Sequence, residues 1–152
     1  MTRSTYDDEL IRALERPDVG ELQTAVSAYH TYSELKGKER EAYFNECPAP
    51  LELFFSTADD PDLGMALVAL SASMYDDPHF LFLVAAGPLE DILGKPSREV
   101  IDRVVAEARK NARFRWMLTG IYLHAVSDEA RPKIAAAIGT VTESDPVPPR
   151  LV

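Results

Sequence analysis

The sequence predicts an all-α fold, an antiparallel array of about six to eight short helices with a repeat-like character. Three observations carry this. Leu, Ala and Glu are plentiful and Gly is scarce at seven residues, so good helix formers dominate. Apolar residues recur at helical spacing, as in Leu63, Leu67, Leu70 and Met74. The segment Ala58-Asp59-Asp60-Pro61-Asp62-Leu63 returns 17 residues later as Tyr75-Asp76-Asp77-Pro78-His79-Phe80. Each copy sets an Asp at a helix cap and a proline at the first helical position, where its missing N–H leaves no bond unmade.

The elements follow in order. Ser4-Thr5 with Asp7, Asp8 and Glu9 opens a helix that Pro17 stops after Arg16. The second starts near Asp18 and carries Leu22, Ala25, Val26 and Tyr29 to about Lys36-Gly37. The third runs from Lys38 to Glu46, with Pro48 and Pro50 closing it, and Leu51 to Phe55 forms another short helix. Two helices follow the Asp-Asp-Pro motifs. The run Phe80 to Ala86 is apolar enough for a strand, but its Asp-Pro start favours a buried helix. Gly87 ends it, and Pro88 opens a short turn through Leu93 to Gly94. Ser97 starts the stripe Val100, Ile101, Val104, Val105 and Ala108. Asn111 caps a helix to Val126 that is apolar on almost every side and therefore expected to be the most buried. Ser127-Asp128 starts the last helix, which ends at Gly139 and has Pro132 awkwardly inside it. Leu63, Leu67, Leu70, Val104, Leu118 and Ile121 are expected to share one core. Residues 1–139 thus form a single helical domain. Residues 140–152, with three prolines and no periodicity, read as a loose tail.

At 152 residues the chain is long enough to bury its own core without a metal or disulfide. Its net charge of −9 argues against nucleic acid, whose phosphates need a basic patch, and against an anionic membrane surface. The same charge favours encounter with a basic protein partner. Cys47 is the only cysteine, the start lacks a signal-peptide core, and no apolar run is long enough to span a bilayer. These features read as cytoplasmic and bacterial in type.

Residues Phe80 to Leu93, with Ala85-Ala86-Gly87-Pro88-Leu89-Glu90-Asp91-Ile92-Leu93, and Ala108 to Tyr122, with Asn111-Ala112-Arg113-Phe114-Arg115 and Leu118-Thr119-Gly120-Ile121, form a distinctive pair. Together they resemble a family of small bacterial all-helical proteins classed as a domain of unknown function, over roughly residues 58–138. The resemblance implies the helical fold and no particular activity. The first fifty residues fit it poorly.

Chemistry-bearing motifs are sparse. The acidic pairs Asp59-Asp60, Asp76-Asp77 and Glu90-Asp91 fall at helix starts, where unpaired N–H groups favour carboxylates. His30, His79 and His124 have no ligand-spaced companions, so neither a metal nor a cofactor is expected. No nucleophile elbow or phosphate loop occurs. Nothing basic lies beside Cys47 in the sequence. Arg113 and Arg115 sit on an apolar helix and need carboxylate partners if buried, for which Glu90 and Asp91 are the expected candidates. The leading functional reading is a non-enzymatic interaction domain that neutralises a basic partner such as a toxin, as an immunity protein does. The alternative is a small-ligand sensor or enzyme with a site around Glu90, Asp91, Arg115, Tyr122 and His124.

Overall fold

Four of the helices start on a side-chain cap. A computed structural model describes residues 8–150, and all regular structure among them is helical, with no strand. The helices are α1 (Asp8–Leu14), α2 (Val19–Glu34), α3 (Gly37–Glu46), α4 (Pro48–Phe54), α5 (Pro61–Met74), α6 (Pro78–Val84), α7 (Glu90–Ile92), α8 (Arg98–Lys110), α9 (Ala112–Met117) and α10 (Ala130–Ile138). Asp60 accepts from Leu63 N–H at 3.1 Å, Asp77 from His79 N–H at 3.0 Å, Ser97 from Val100 N–H at 3.2 Å and Asn111 from Phe114 N–H at 3.1 Å. Each bond satisfies a donor that the first turn leaves without a helical acceptor. Pro132 is less awkward than its sequence context implies, because α10 begins at Ala130 and places it in the first turn. The expected Ser4-Thr5 cap lies outside the described residues.

α5 is the centre. Leu63, Gly64, Met65, Ala66, Leu67, Val68, Leu70 and Ser71 are all buried on it. α1 and α2 pack against it from the N-terminal part of the chain, and the end of α6 and α9 from the rest. α8 packs on α10, with Arg98 and Glu129 meeting at 4.0 Å where the two helices start. Leu63, Leu67, Leu70, Val104, Leu118 and Ile121 do share one buried cluster. At 1.5 Å rise per residue α5 is about 21 Å long, so the two Asp-Asp-Pro starts that bracket it lie at opposite ends.

Four elements depart from the sequence reading. Pro48 opens α4 instead of closing α3, since it occupies the first helical position. Gly87 and Pro88 do not interrupt the chain after α6. They lie in a π-helical turn, Ala85–Leu89, that leads straight into α7, with Glu90 N–H donating to Ala85 O. The widened turn accommodates a proline that an α-helix interior would not. The helix expected over Asn111–Val126 stops at Met117 and continues as 3-10 turns, Leu118–Gly120 and Leu123–Ala125. A Cβ at Gly120 would lie 2.5 Å from Phe82 Cδ1, so the chain bends where glycine permits a close approach. The most buried long helix is therefore α5, and Tyr122 is 64% exposed.

The tail is the fourth departure. Residues 140–150 are irregular but docked. Trp116 Nε1 donates to Asp145 O at 3.0 Å, Arg113 Nε donates to Pro148 O at 2.8 Å, and Val141 and Val147 pack on the core. This strap closes with Arg150, which donates to Ser73 O and pairs with Asp76 at 2.7 Å.

Candidate functional site

Glu90 and Asp91 begin α7 and reach the surface at the end of the π-helical turn. The turn is anchored by buried Pro88 and Leu89, and Ile92 packs onto α5 opposite Gly64. Glu90 Oε1 accepts the Tyr122 backbone N–H at 2.6 Å. Asp91 Oδ2 accepts from the hydroxyl of fully buried Thr57 at 3.4 Å. Loss of solvent around the Asp91 carboxyl pushes its pKa up, the adjacent Glu90 charge adds to that, and the Thr57 hydroxyl opposes it. The Tyr122 ring projects into solvent with its centroid 5.2 Å from that of His124. Ser127 N–H donates to Leu93 O, tying the 118–127 segment to the end of α7. Four expected site residues, Glu90, Asp91, Tyr122 and His124, thus gather in one surface patch.

The two arginines do not join them. The expected pairing of Glu90 or Asp91 with Arg113 or Arg115 is absent. Arg113, 4% exposed, donates to Ala72 O at 2.8 Å, Tyr75 O at 3.0 Å and Asp76 Oδ1 at 2.8 Å, in addition to Pro148 O. The carbonyls at the end of α5 lack helical donors, and a guanidinium supplies several at once. Arg115 turns back to Ala108 O at 3.2 Å. The small-ligand reading therefore loses Arg115 from its site.

Sequence reasoning missed the charge clasps. Glu9, 3% exposed, pairs with Arg103 at 2.6 Å and Arg12 at 3.1 Å, and Arg103 also binds Asp62. Arg16, Arg98, Lys110, Arg131 and Arg150 likewise each meet a carboxylate. No short-range spacing announces most of these pairs. Glu90 and Asp91 have no such cation among the described residues. Nor is any group of three or more His, Cys, Asp or Glu among them arranged to hold a metal ion. No helix among them is long and apolar enough to cross a membrane.

A protein-family model matches residues 45–141. The chain belongs to DUF6869, a family of unknown function. No curated protein and no solved structure matches it. The DUF6869 span contains the 58–138 stretch from which an uncharacterised helical family was expected. It holds α4 to α10 and the whole Glu90, Asp91, Tyr122 and His124 patch. α1, α2, most of α3 and most of the strap lie outside it.

Proposed function

We propose that this chain is a non-enzymatic protein-interaction domain whose contact surface is the Tyr122 patch and whose partner is a basic protein, in the manner of an immunity protein that neutralises a toxin. One observation carries the reading. Seven arginines, Arg103 and Arg113 among them, pair with carboxylates of the chain, while Glu90 and Asp91 stand side by side without a cation among the described residues and flank an exposed tyrosine. Partial desolvation and the neighbouring Glu90 charge raise the Asp91 pKa above its ordinary value, a small cost of the kind that functional sites carry. A lysine or arginine from a partner relieves it, with its aliphatic stem or guanidinium over the Tyr122 ring and its charge on the two acids. Tyrosine is enriched at such contacts because it gives large area at low entropic cost. The net charge of −9 steers the encounter.

Affinity capture from the native host tests this, with the wild-type chain beside a Tyr122→Ala, Asp91→Asn double variant. The expected result is a basic protein that the variant loses, with an association rate that falls as salt rises. An acidic partner, a salt-independent rate, or equal capture by the variant would overturn the reading.

A further inference from the structure

We propose a second binding site, separate from the Tyr122 patch, on the face built by α2, α3 and the end of α4: Arg40 there receives a monoanionic carboxylate carried on an aromatic or apolar body. α3 has ten residues and none is buried. It nevertheless places the Arg40 guanidinium carbon 4.3 Å from the centre of the Tyr32 ring. Arg40 is half-buried, its Nε is shielded from solvent, and that N–H has no acceptor. No carboxylate among the described residues lies within ion-pair distance of it, in contrast to Arg12, Arg16, Arg98, Arg103, Arg113, Arg131 and Arg150. A shielded donor without an acceptor is destabilising, so nothing in the resting fold accounts for this one.

The surroundings state what fits. The Phe44 ring lies 6.3 Å from Tyr32 and 6.2 Å from Phe55, and Phe55 is 56% exposed. These rings form an apolar wall beside the cation. Lys36 and Lys38 are exposed near the start of α3 and have no ion-pair partner among the described residues. The exposed acids Glu39 and Glu41 share the helix, and the charge of Asp91 reaches Tyr29, the neighbour of Tyr32 on this face. Those negative charges, with the net −9, disfavour a dianion more than a monoanion. A carboxylate also matches the planar edge of the guanidinium. It engages the open Nη edge first. A rotation of the guanidinium off the Tyr32 face then gives Nε its missing acceptor.

The test is NMR of the arginine Nε–Hε resonances of the full chain, titrated with 3-phenylpropanoate, acetate and phenyl phosphate. The Arg40 signal should move saturably with 3-phenylpropanoate, and acetate should bind about tenfold more weakly for want of the apolar contact. Arg40→Gln should abolish binding and Arg40→Lys should weaken it about fivefold or more. Both variants should keep the wild-type fold, since Arg40 has no ion pair among the described residues and its one lost contact, with the Tyr32 ring, lies on the surface of α3. Absence of a saturable shift with any probe, or equal binding by Arg40→Gln, overturns the site. Phenyl phosphate binding as tightly as 3-phenylpropanoate overturns the assignment to a monoanion. Neither result bears on the Tyr122 patch.

Discussion

Glu9 and Arg103, 94 residues apart in the chain, meet through three N–H···O contacts of 2.6, 2.7 and 3.0 Å. The pair joins α1 to α8, and Asp62 brings in the start of α5. The acids raise the Arg103 pKa further, so it stays charged at any working pH, while its hydrogen bond holds the Asp62 carboxyl below its ordinary value. Arg103→Met leaves Glu9 buried with only Arg12 beside it. We expect a loss of about 3 kcal/mol in urea denaturation, since an orphaned buried charge is costly. Glu9→Gln should cost less, because Arg103 retains Asp62. A loss from Arg103→Met well under 1 kcal/mol (roughly the value of an exposed pair) would show that water screens the contact.

The strap has an acid-labile clasp. Hydrogen bonds from Arg150 and then Arg113 hold the Asp76 carboxyl down at about 2, against an ordinary value of 3.8. A depressed pKa contributes stability above the ordinary value and loses it as pH falls through the depressed one. The strap should therefore loosen between pH 3.8 and about 2. Trp116 is the sole tryptophan and bonds Asp145 in the strap, so its emission should shift to the red over that range. Asp76→Asn should remove the acid step, and truncation after Val141 should give the shifted emission at neutral pH. Unchanged emission on truncation would mean that the strap does not shield the indole.

Gly64 sets how closely α5 approaches α7. A Cβ there would lie 2.7 Å from Ile92 Cγ2, a branch atom that has little room to move. Overpacking of this kind costs about 1–3 kcal/mol, offset by about 1 kcal/mol of better helix propensity for alanine. Gly64→Ala should thus be destabilising by about 1 kcal/mol. In the Ile92→Ala background the same change should become neutral or stabilising, a coupling that a double-mutant cycle reads directly. Additive effects would place the strain elsewhere.

Asp91→Asn should separate stability from binding. A raised folded-state pKa means that the ionised form is disfavoured by folding, so stability is lost as pH rises through that pKa. The asparagine variant should melt higher than the wild type at neutral pH, with the gap closing below the ordinary carboxyl value of 3.8. It should also lose the basic partner. A lower melting temperature at pH 7 would assign Asp91 a structural role through Thr57.

The parts legible in the sequence are those with local causes. Asp60-Pro61 and Asp77-Pro78 announce helix starts because cap and proline act within one turn. The stripe Leu63, Leu67 and Leu70 announces its buried face by spacing alone. Glu90 meets the Tyr122 segment only through the Tyr122 backbone N–H, which carries no side-chain signature. The arginine pairing failed because both side chains found other partners, most of them backbone carbonyls. Arg113 is taken up by Ala72 O, Tyr75 O, Asp76 and Pro148 O, and Arg115, two residues on and facing nearly the opposite way, by Ala108 O. The strap was illegible because its anchors are carbonyls of Asp145 and Pro148, which every residue type supplies. The end of α9 was hidden by apolar residues that suit a 3-10 turn as well as a helix, with Gly120 the one sign of a bend.

The π-helical turn at Ala85–Leu89 works as a phase shifter. A π turn is an α-helix carrying one residue in excess, and each residue turns the helix by about 100°. The direction in which Glu90 and Asp91 face is thereby decoupled from the packing of α6, whose Phe80, Leu81 and Val84 are fixed in the core. Deleting Pro88 would remove both the excess residue and the proline, restore the α-helical phase and swing both acids about 100° away from the Tyr122 N–H. One peptide unit thus decides which way the Glu90 and Asp91 pair faces. A change of length at that point re-aims the patch without rebuilding the core.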